Sequence, residues 1–161
     1  MNSPLFNNLI NIKILIMILR VIHHGHNEFR SECFNPIRNR PHWNKPSGGL
    51  WTSPIDSTDG WLNWCEDNHF STGDNSKSFV LELDNPNIFT INSPYIDDKY
   101  LVEGDKPILD FMKYLNYEMI VDEGYDVIHL TTSALYDGAS IMSPFYGWDC
   151  ETILILNLNI I

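Results

Sequence analysis

Short apolar runs, separated by segments that contain glycine, proline or asparagine, constrain the fold of this chain more than any other feature of its sequence. Runs of about four to eight residues that alternate, or that are rich in β-branched side chains, are typical of strands. They lie at residues 18–24, 49–54, 78–84, 87–92, 125–131 and 149–157. Many strands and few helices in mixed order predict an α+β domain built on antiparallel sheets.

The remaining segments divide into helices and loops. The predicted helices are residues 56–68 and 106–124, and the predicted loops are residues 25–48 and 132–145. In the first helix, polar residues that can cap a helix precede an apolar face from Trp61 to Cys65. In the second, Pro107 lies in the first turn and Gly124 at the end, where these residues are common. The first loop is long enough to indicate a functional segment.

The length of the chain, 161 residues, is that of one ordinary domain. We take residues 17–161 as this domain and residues 1–16 as an apolar amino-terminal extension. The apolar stretch at 9–19 contains Lys13 and is shorter than the ~20 residues that cross a bilayer, so we predict no membrane partner. Three cysteines without a CxxC spacing favour a reduced, cytoplasmic protein without structural zinc.

Charge is distributed unevenly along the chain. The net charge is −11, yet the first 53 residues hold six basic and only two acidic side chains. A basic segment on an acidic body suggests a local anion site rather than general affinity for nucleic acid. Its arginines are candidates for binding an anion, and they are Arg20, Arg30, Arg38 and Arg40. The simpler alternative is a mildly basic loop without a role.

Histidines are concentrated in the sequence IHHGH, as His23, His24 and His26. Such density occurs in metal sites, but the carboxylates that a metallohydrolase adds at fixed spacings do not accompany these histidines. We therefore predict no metal site, and solvated histidines at a strand end are the simpler alternative.

Two glycines precede a strand in the sequence SGGLWTSP. Gly48 and Gly49 allow a positive φ and a close approach of the backbone to a ligand. Trp51 offers a flat ring for stacking, and Thr52 and Ser53 offer hydroxyl groups. A tight turn that leads into a buried strand would explain most of the same pattern.

Two carboxylates flank a cysteine in the sequence WDCETILIL. If Asp149 and Glu151 belong to one strand, its period of two places both on one face. Two carboxylates on one face repel each other, which stability alone does not favour. A site that stabilises a cation would favour this arrangement.

The four motifs IHHGH, GGLWTSP, EGYDVI and DCETILIL, in this order over residues 18–157, resemble those of the ADP-ribosyltransferase superfamily, in particular its compact bacterial and phage-type members. The histidine–glycine strand end resembles that of the diphtheria-toxin and poly-ADP-ribose-polymerase type. The last motif resembles the final strand that carries the catalytic glutamate. The expected tyrosine of the third strand has no clear counterpart, since Phe79 is the nearest aromatic residue.

The resemblance implies a fold, a substrate and a reaction. The fold would be two small antiparallel sheets split around a cleft that binds NAD. The reaction would cleave the nicotinamide–ribose bond and transfer ADP-ribose to a macromolecule, a protein rather than a nucleic acid, as an effector or toxin would do. Simple hydrolysis of NAD is an open alternative.

The resemblance also implies roles for individual residues. Glu151 would be the catalytic carboxylate, and Asp149 would help to select the acceptor. His24 would act beside it by binding the ribose on the nicotinamide side. The remaining NAD-binding positions would be Gly25, Gly49, Trp51, Thr52, Ser53 and Arg20. A carboxylate near the ribose is physically apt, because bond cleavage passes through an oxocarbenium-like state that a fixed negative charge stabilises.

Two other classes of protein fit parts of the sequence. An acidic binding protein that imitates nucleic acid would explain the 19 acidic residues after residue 53. A cysteine hydrolase would use Cys150 with His23, His24 or His129 as its base. The two acids beside Cys150 are expected to raise the pKa of its thiol, which disfavours this chemistry.

Overall fold

The computed structural model describes residues 17–40, 43–71, 74, 76–103, 113–137 and 143–161. The predicted extension at 1–16 therefore lies outside the described residues. The strands are β1 (Ile18–His24), β2 (Leu50–Pro54), β3 (Ser78–Asp84), β4 (Ile88–Ile91), β5 (Leu101–Glu103), β6 (Lys113–Leu115), β7 (Val127–Leu130) and β8 (Thr152–Ile155). The helices are α1 (Trp61–Asp67), α2 (Tyr117–Asp122) and α3 (Thr132–Asp137).

Six strands form one mixed sheet in the order β3-β1-β2-β8-β7-β4. Every neighbouring pair in it is antiparallel except β4 and β7, which are parallel. β5 and β6 form a separate two-stranded antiparallel ribbon. The prediction of an α+β domain with antiparallel sheets is confirmed at this level.

The last strand, β8, is the centre of the core. It lies between β2 and β7, and all of its residues are buried. Leu154 and Leu156 pack into one apolar cluster with Trp148. Ile153 and Ile155 pack into a second cluster, because successive side chains of a strand point to opposite faces. Burial on both faces therefore explains the unbroken apolar run from Ile153 to Leu156.

The sheet opens between β1 and β2. The two strands pair through Val21 and Ile22, opposite Pro54 and Ser53. β1 continues past these pairs to His24 while it remains paired with β3 along its whole length. The pairs between β1 and β2 end at Ile22 and Ser53, while the other edge of β2 is paired with β8 from Leu50 to Thr52. The two strands therefore diverge, and this divergence creates the space in which the candidate site lies.

Three predicted elements differ from the structure because polar side chains end or begin helices at other residues. The helix predicted at 56–68 begins only at Trp61, whose amide donates to the Ser53 hydroxyl at 3.0 Å. The described part of the helix predicted at 106–124 contains β6 and then α2, because the Asn116 side chain accepts from the Met119 amide and starts a new helix there. The segment predicted as a loop at 132–145 contains α3, and the Thr131 hydroxyl accepts from its first turn.

The strand predicted at 149–157 begins at Thr152. Just before it, the amide of Glu151 donates to the carbonyl of Asp59 at 2.8 Å, outside the sheet. The prediction that Asp149 and Glu151 share one strand face is therefore wrong. Among the described residues, no helix is both long and apolar enough to cross a membrane.

Candidate functional site

A cleft of about 470 Å³ occupies the opening between β1 and β2. Its walls come from the end of β1, from β2, from the start of α1 and from the segment that precedes β8. The lining residues that the sequence analysis selected are His24, Gly25, Trp51, Thr52, Ser53 and Asp149. These residues are far apart in the sequence, and the divergence of the two strands brings them together.

Indole rings form much of the apolar wall of the cleft. Trp51, Trp61 and Trp148 all line it. The rings of Trp51 and Trp148 lie 4.8 Å apart between centroids, tilted by 59°. Trp148 is almost fully buried, so it holds Trp51 from behind while Trp51 stays partly exposed. An aromatic wall of this kind suits a planar ligand, because aromatic rings attract one another through stacking and edge contacts.

The hydroxyl groups of β2 are engaged within the protein. The Thr52 hydroxyl donates to the carbonyl of Ile153 at 2.6 Å. The Ser53 hydroxyl accepts from the Trp61 amide and so caps α1 from a distance in sequence. Both side chains are buried. Their geometry indicates that they support the cleft wall.

Lysine and aspartate face each other across one side of the cleft. Lys45 Nζ lies 2.9 Å from Asp149 Oδ2 and 5.7 Å from the centroid of the Trp51 ring. The residue before the lysine is firmly held, because the Asn44 carbonyl accepts from the Tyr117 hydroxyl and from Trp148 Nε1. This pair places one positive and one negative charge at the aromatic wall.

His23 bridges the gap that opens between β1 and β2. Its Nδ1 lies 2.8 Å from the carbonyl oxygen of Trp51, and its Nε2 lies 3.2 Å from Nδ1 of His26. Burial lowers the pKa of the His23 imidazole below its ordinary value. A neutral His23 therefore donates from Nδ1 to Trp51 and accepts from His26. His23 and His24 both line the cleft, so the adjacent histidines share it.

The described residues contain no group of three or more His, Cys, Asp or Glu side chains that could hold a metal ion. His23 is instead engaged with the Trp51 carbonyl and with His26. His23 and His26 are stacked with ring centroids 5.4 Å apart.

Glu151 does not line the cleft, although its neighbours Cys150 and Thr152 do. Its carboxylate lies 2.8 Å from His129 Nε2 and accepts from the hydroxyls of Ser57, at 2.6 Å, and Thr132, at 3.3 Å. The Glu151 side chain is only 16% exposed. The structure therefore holds the two acids of this segment in different surroundings, Asp149 in the cleft and Glu151 in a polar network beside it.

His129 is a member of this network that the sequence named only as a possible base for a cysteine hydrolase, and not as a partner of Glu151. It lies on β7 directly opposite Ile153 of β8. A histidine in the otherwise apolar run VIHL is the sequence signal that could have revealed it, because a polar residue in a buried strand needs a partner.

Gly49 and Arg20 lie outside the cleft. Gly49 lines a neighbouring cavity of about 670 Å³, which shares His23, Gly25 and His26 with the cleft. A Cβ at Gly49 would lie 2.8 Å from a side-chain carbon of Leu154, so the close approach is to the protein's own core. Arg20 lies on β1 and pairs with Glu82 of β3 at 3.5 Å.

Cys150 is buried, and this burial raises the pKa of its thiol to about 11. The charge of Asp149 adds to the shift as a smaller cause. The raised pKa of the thiol agrees with the prediction, although burial rather than the adjacent acid is the main cause. A thiol in this state is a poor nucleophile at neutral pH, which weighs against the cysteine hydrolase.

Comparison with known proteins does not identify a relative. A scan against protein-family models found no match, and searches of curated proteins and of solved structures found none. The fold and the cleft are thus the observations from which function is inferred.

Proposed function

We propose that the chain is an ADP-ribosyltransferase that cleaves the nicotinamide–ribose bond of NAD and transfers ADP-ribose to a macromolecular acceptor. The observation that carries this proposal is the convergence of His24, Gly25, Trp51 and Asp149 on one cleft. These residues belong to separate motifs, and the resemblance to the superfamily rested only on the order of those motifs along the chain. The divergence of β1 from β2 also supports a cleft between strands, although these strands belong to one six-stranded sheet and the resemblance implied two separate small sheets.

The aromatic wall suits the nicotinamide ring. In NAD this ring is planar and positively charged, so it can stack on Trp51 while a carboxylate balances its charge. Asp149 and Asp74 both line the cleft. Asp74 pairs with Lys77, whereas Asp149 pairs with Lys45, whose ammonium group lies near the Trp51 ring. Binding the cation in this way would orient the bond that breaks.

The reaction breaks the bond between ribose C1′ and the nicotinamide nitrogen, and the electron pair leaves with neutral nicotinamide. Positive charge develops on the ribose, and a nucleophile of the acceptor then attacks C1′ and loses its proton. Glu151 is the sequence-based choice for stabilising this charge, and its hydrogen bonds to Ser57, Thr132 and His129 hold it beside the cleft. To act on the ribose, its side chain must leave these partners and enter the cleft. Asp149 already lies in the cleft but is paired with Lys45.

The decisive experiment measures nicotinamide release from NAD that carries a label in its adenylate half, with and without cell lysate. Wild type is compared with Glu151→Gln, Asp149→Asn and the control Glu118→Gln. Glu118 pairs with Arg38 and does not line the cleft. We expect release and labelled macromolecule from wild type and the control, and a loss of at least about a hundredfold from the variant whose carboxylate acts on the ribose.

Each outcome has a distinct meaning. Labelled protein establishes the transferase, and labelled nucleic acid corrects the class of acceptor. Release without labelled macromolecule makes the chain an NAD hydrolase. If folded wild type releases no nicotinamide in either condition, the proposal fails and the acidic binding protein becomes the leading explanation. Salt-sensitive binding to a basic partner that survives Glu151→Gln would then support that explanation.

A further inference from the structure

We propose that Lys45 recognises a phosphate of the cleft's ligand and, in doing so, exchanges its bond with Asp149 for a bond with that phosphate. This inference deepens the proposed function and depends on it for the nicotinamide half of the ligand. The ligand class that it names is an aromatic nucleotide, in which a planar ring and a phosphate lie a few ångströms apart.

Lys45 is the one lysine or arginine among the described residues that line the cleft. The arginines that the sequence analysis considered for an anion are engaged elsewhere. Arg20 pairs with Glu82, Arg30 with Glu28 and Arg38 with Glu118. The Arg40 guanidinium lies over the Trp43 ring, 5.0 Å from its centroid, and Arg40 does not line the cleft. A phosphate in the cleft therefore meets the ammonium group of Lys45 as its nearest fixed cation.

The position of Lys45 is determined by the residue that precedes it. The Asn44 carbonyl accepts from Tyr117 and Trp148, and the Asn44 side-chain amide donates to the Ser143 carbonyl at 3.0 Å. Tyr117 and Trp148 are both buried in the core. The backbone of the lysine is therefore rigidly placed, while its side chain is 42% exposed and can turn towards a ligand.

The bond between Lys45 and Asp149 is suited to exchange. Both side chains are partly exposed, at 42% and 34%, and ion pairs in such positions contribute little to stability. The diphosphate of NAD carries roughly one negative charge on each phosphate, and a phosphate monoester carries between about one and a half and two at neutral pH, so either at least matches a carboxylate. The lysine can thus leave Asp149 for a phosphate without a large loss.

The exchange has a consequence for the other end of the ligand. Once Lys45 binds the phosphate, the Asp149 carboxylate loses its paired cation beside Trp51. A cationic ring stacked on Trp51 can then take the place of the ammonium group. One ligand with a phosphate and a cationic ring would replace both halves of the ion pair, whereas a ligand that lacks either group would leave one charge unpaired.

The test compares two pairs of ligands that differ only by a phosphate: nicotinamide mononucleotide with nicotinamide riboside, and AMP with adenosine. Titration calorimetry gives, for each pair, the ratio of the affinity for the phosphorylated compound to the affinity for the compound without phosphate. This ratio is measured for wild type, Lys45→Met, Lys45→Arg and the control Lys113→Met. Lys113 is matched in exposure, at 43%, and pairs with Asp98 away from the cleft. We expect Lys45→Met to lower the ratio about tenfold, the effect of one charge-assisted hydrogen bond. Lys45→Arg should restore most of it, and the control should leave it unchanged.

The two ligand pairs separate this inference from the proposed function. If only AMP and adenosine bind, and their ratio depends on Lys45, the inference stands and the nicotinamide chemistry fails. If both pairs bind without a preference for phosphate, or if Lys113→Met lowers the ratio as much as Lys45→Met, the inference is wrong. Failure of all four compounds to bind folded wild type would also overturn it.

Discussion

The polar network around Glu151 predicts a large loss of stability when its carboxylate is removed. The Glu151→Ala variant removes the acceptor that His129 Nε2 and the hydroxyls of Ser57 and Thr132 share. Asp59 still contacts both hydroxyls. The three groups that share the acceptor come from β7, from the turn before α1 and from the first residue of α3. One side chain therefore joins three separate parts of the chain to the start of β8.

The magnitude follows from the bonds and their burial. A hydrogen bond to a charged group contributes about 1.5–3 kcal/mol, and a buried group left without a partner costs about 1–3 kcal/mol. The carboxylate is 16% exposed and the His129 side chain 25%, so water can rescue part of the network. We expect Glu151→Ala to lower the free energy of unfolding by about 2–4 kcal/mol. Glu151→Gln retains one acceptor oxygen and should cost about 1–2 kcal/mol.

Urea unfolding followed by circular dichroism measures this loss, provided that the slope against denaturant concentration stays constant. Glu118→Gln is the matched control, because its exposed pair with Arg38 should contribute at most about 1 kcal/mol. If Glu151→Ala unfolds within about 0.5 kcal/mol of that control, Glu151 does not hold the network together. The measurement also shows whether the catalytic assay compares folded proteins.

Three further predictions concern other parts of the fold. Gly48→Ala should destabilise the protein by at least about 2 kcal/mol more than Gly124→Ala in the same urea assay. Both glycines have a positive φ, but a Cβ at Gly48 would lie 2.3 Å from a backbone oxygen, whereas a Cβ at Gly124 would have no atom within 4 Å. An equal loss of stability in the two variants would contradict the close contact at Gly48. Ser53→Ala should cost about 0.5–2 kcal/mol through loss of the cap of α1, while an unchanged unfolding midpoint combined with weaker NAD binding would assign Ser53 to the ligand instead. Cys150, whose thiol has a pKa raised to about 11, should react with iodoacetamide at pH 8 far more slowly than the exposed Cys33, as mass spectrometry of the labelled peptides would show; faster labelling of Cys150 would revive the cysteine hydrolase.

The strands could be predicted from the sequence because their signals are local. The six apolar runs correspond to six of the strands, and the run at 149–157 contains the fully buried β8. The glycine prediction also had a local basis, since Gly48 and Gly49 both have positive φ. The sequence did not reveal which residue each glycine contacts, because the contacted residues are 12 or more positions away along the chain. The Gly48 contact is with Pro36, and the Gly49 contact is with Leu154 of β8.

Helix ends were less predictable because side chains from distant segments determine them. Ser53 caps α1 across a gap of eight residues, and no local rule assigns that role to a serine in a strand. Within residues 113–124, the Asn116 side chain starts α2 and leaves the preceding residues free to form β6. A helical pattern of apolar residues was present there, but tertiary pairing of β6 with β5 overrode it.

The positions of the two acids in the WDCE sequence could not be predicted from the strand period. The period of two holds only while the chain remains a strand, and the sheet begins at Thr152, one residue after Glu151. Before Thr152, Asp149 pairs with Lys45 at the cleft. Glu151 lies beside the cleft, where Ser57, Thr132 and His129 bind its carboxylate. The separation matters chemically, because two carboxylates that are held by different partners can contact different parts of one ligand. In the proposed reaction, one carboxylate balances the cationic ring and another stabilises the ribose, and the proposed Lys45 exchange would make Asp149 available when the ligand binds.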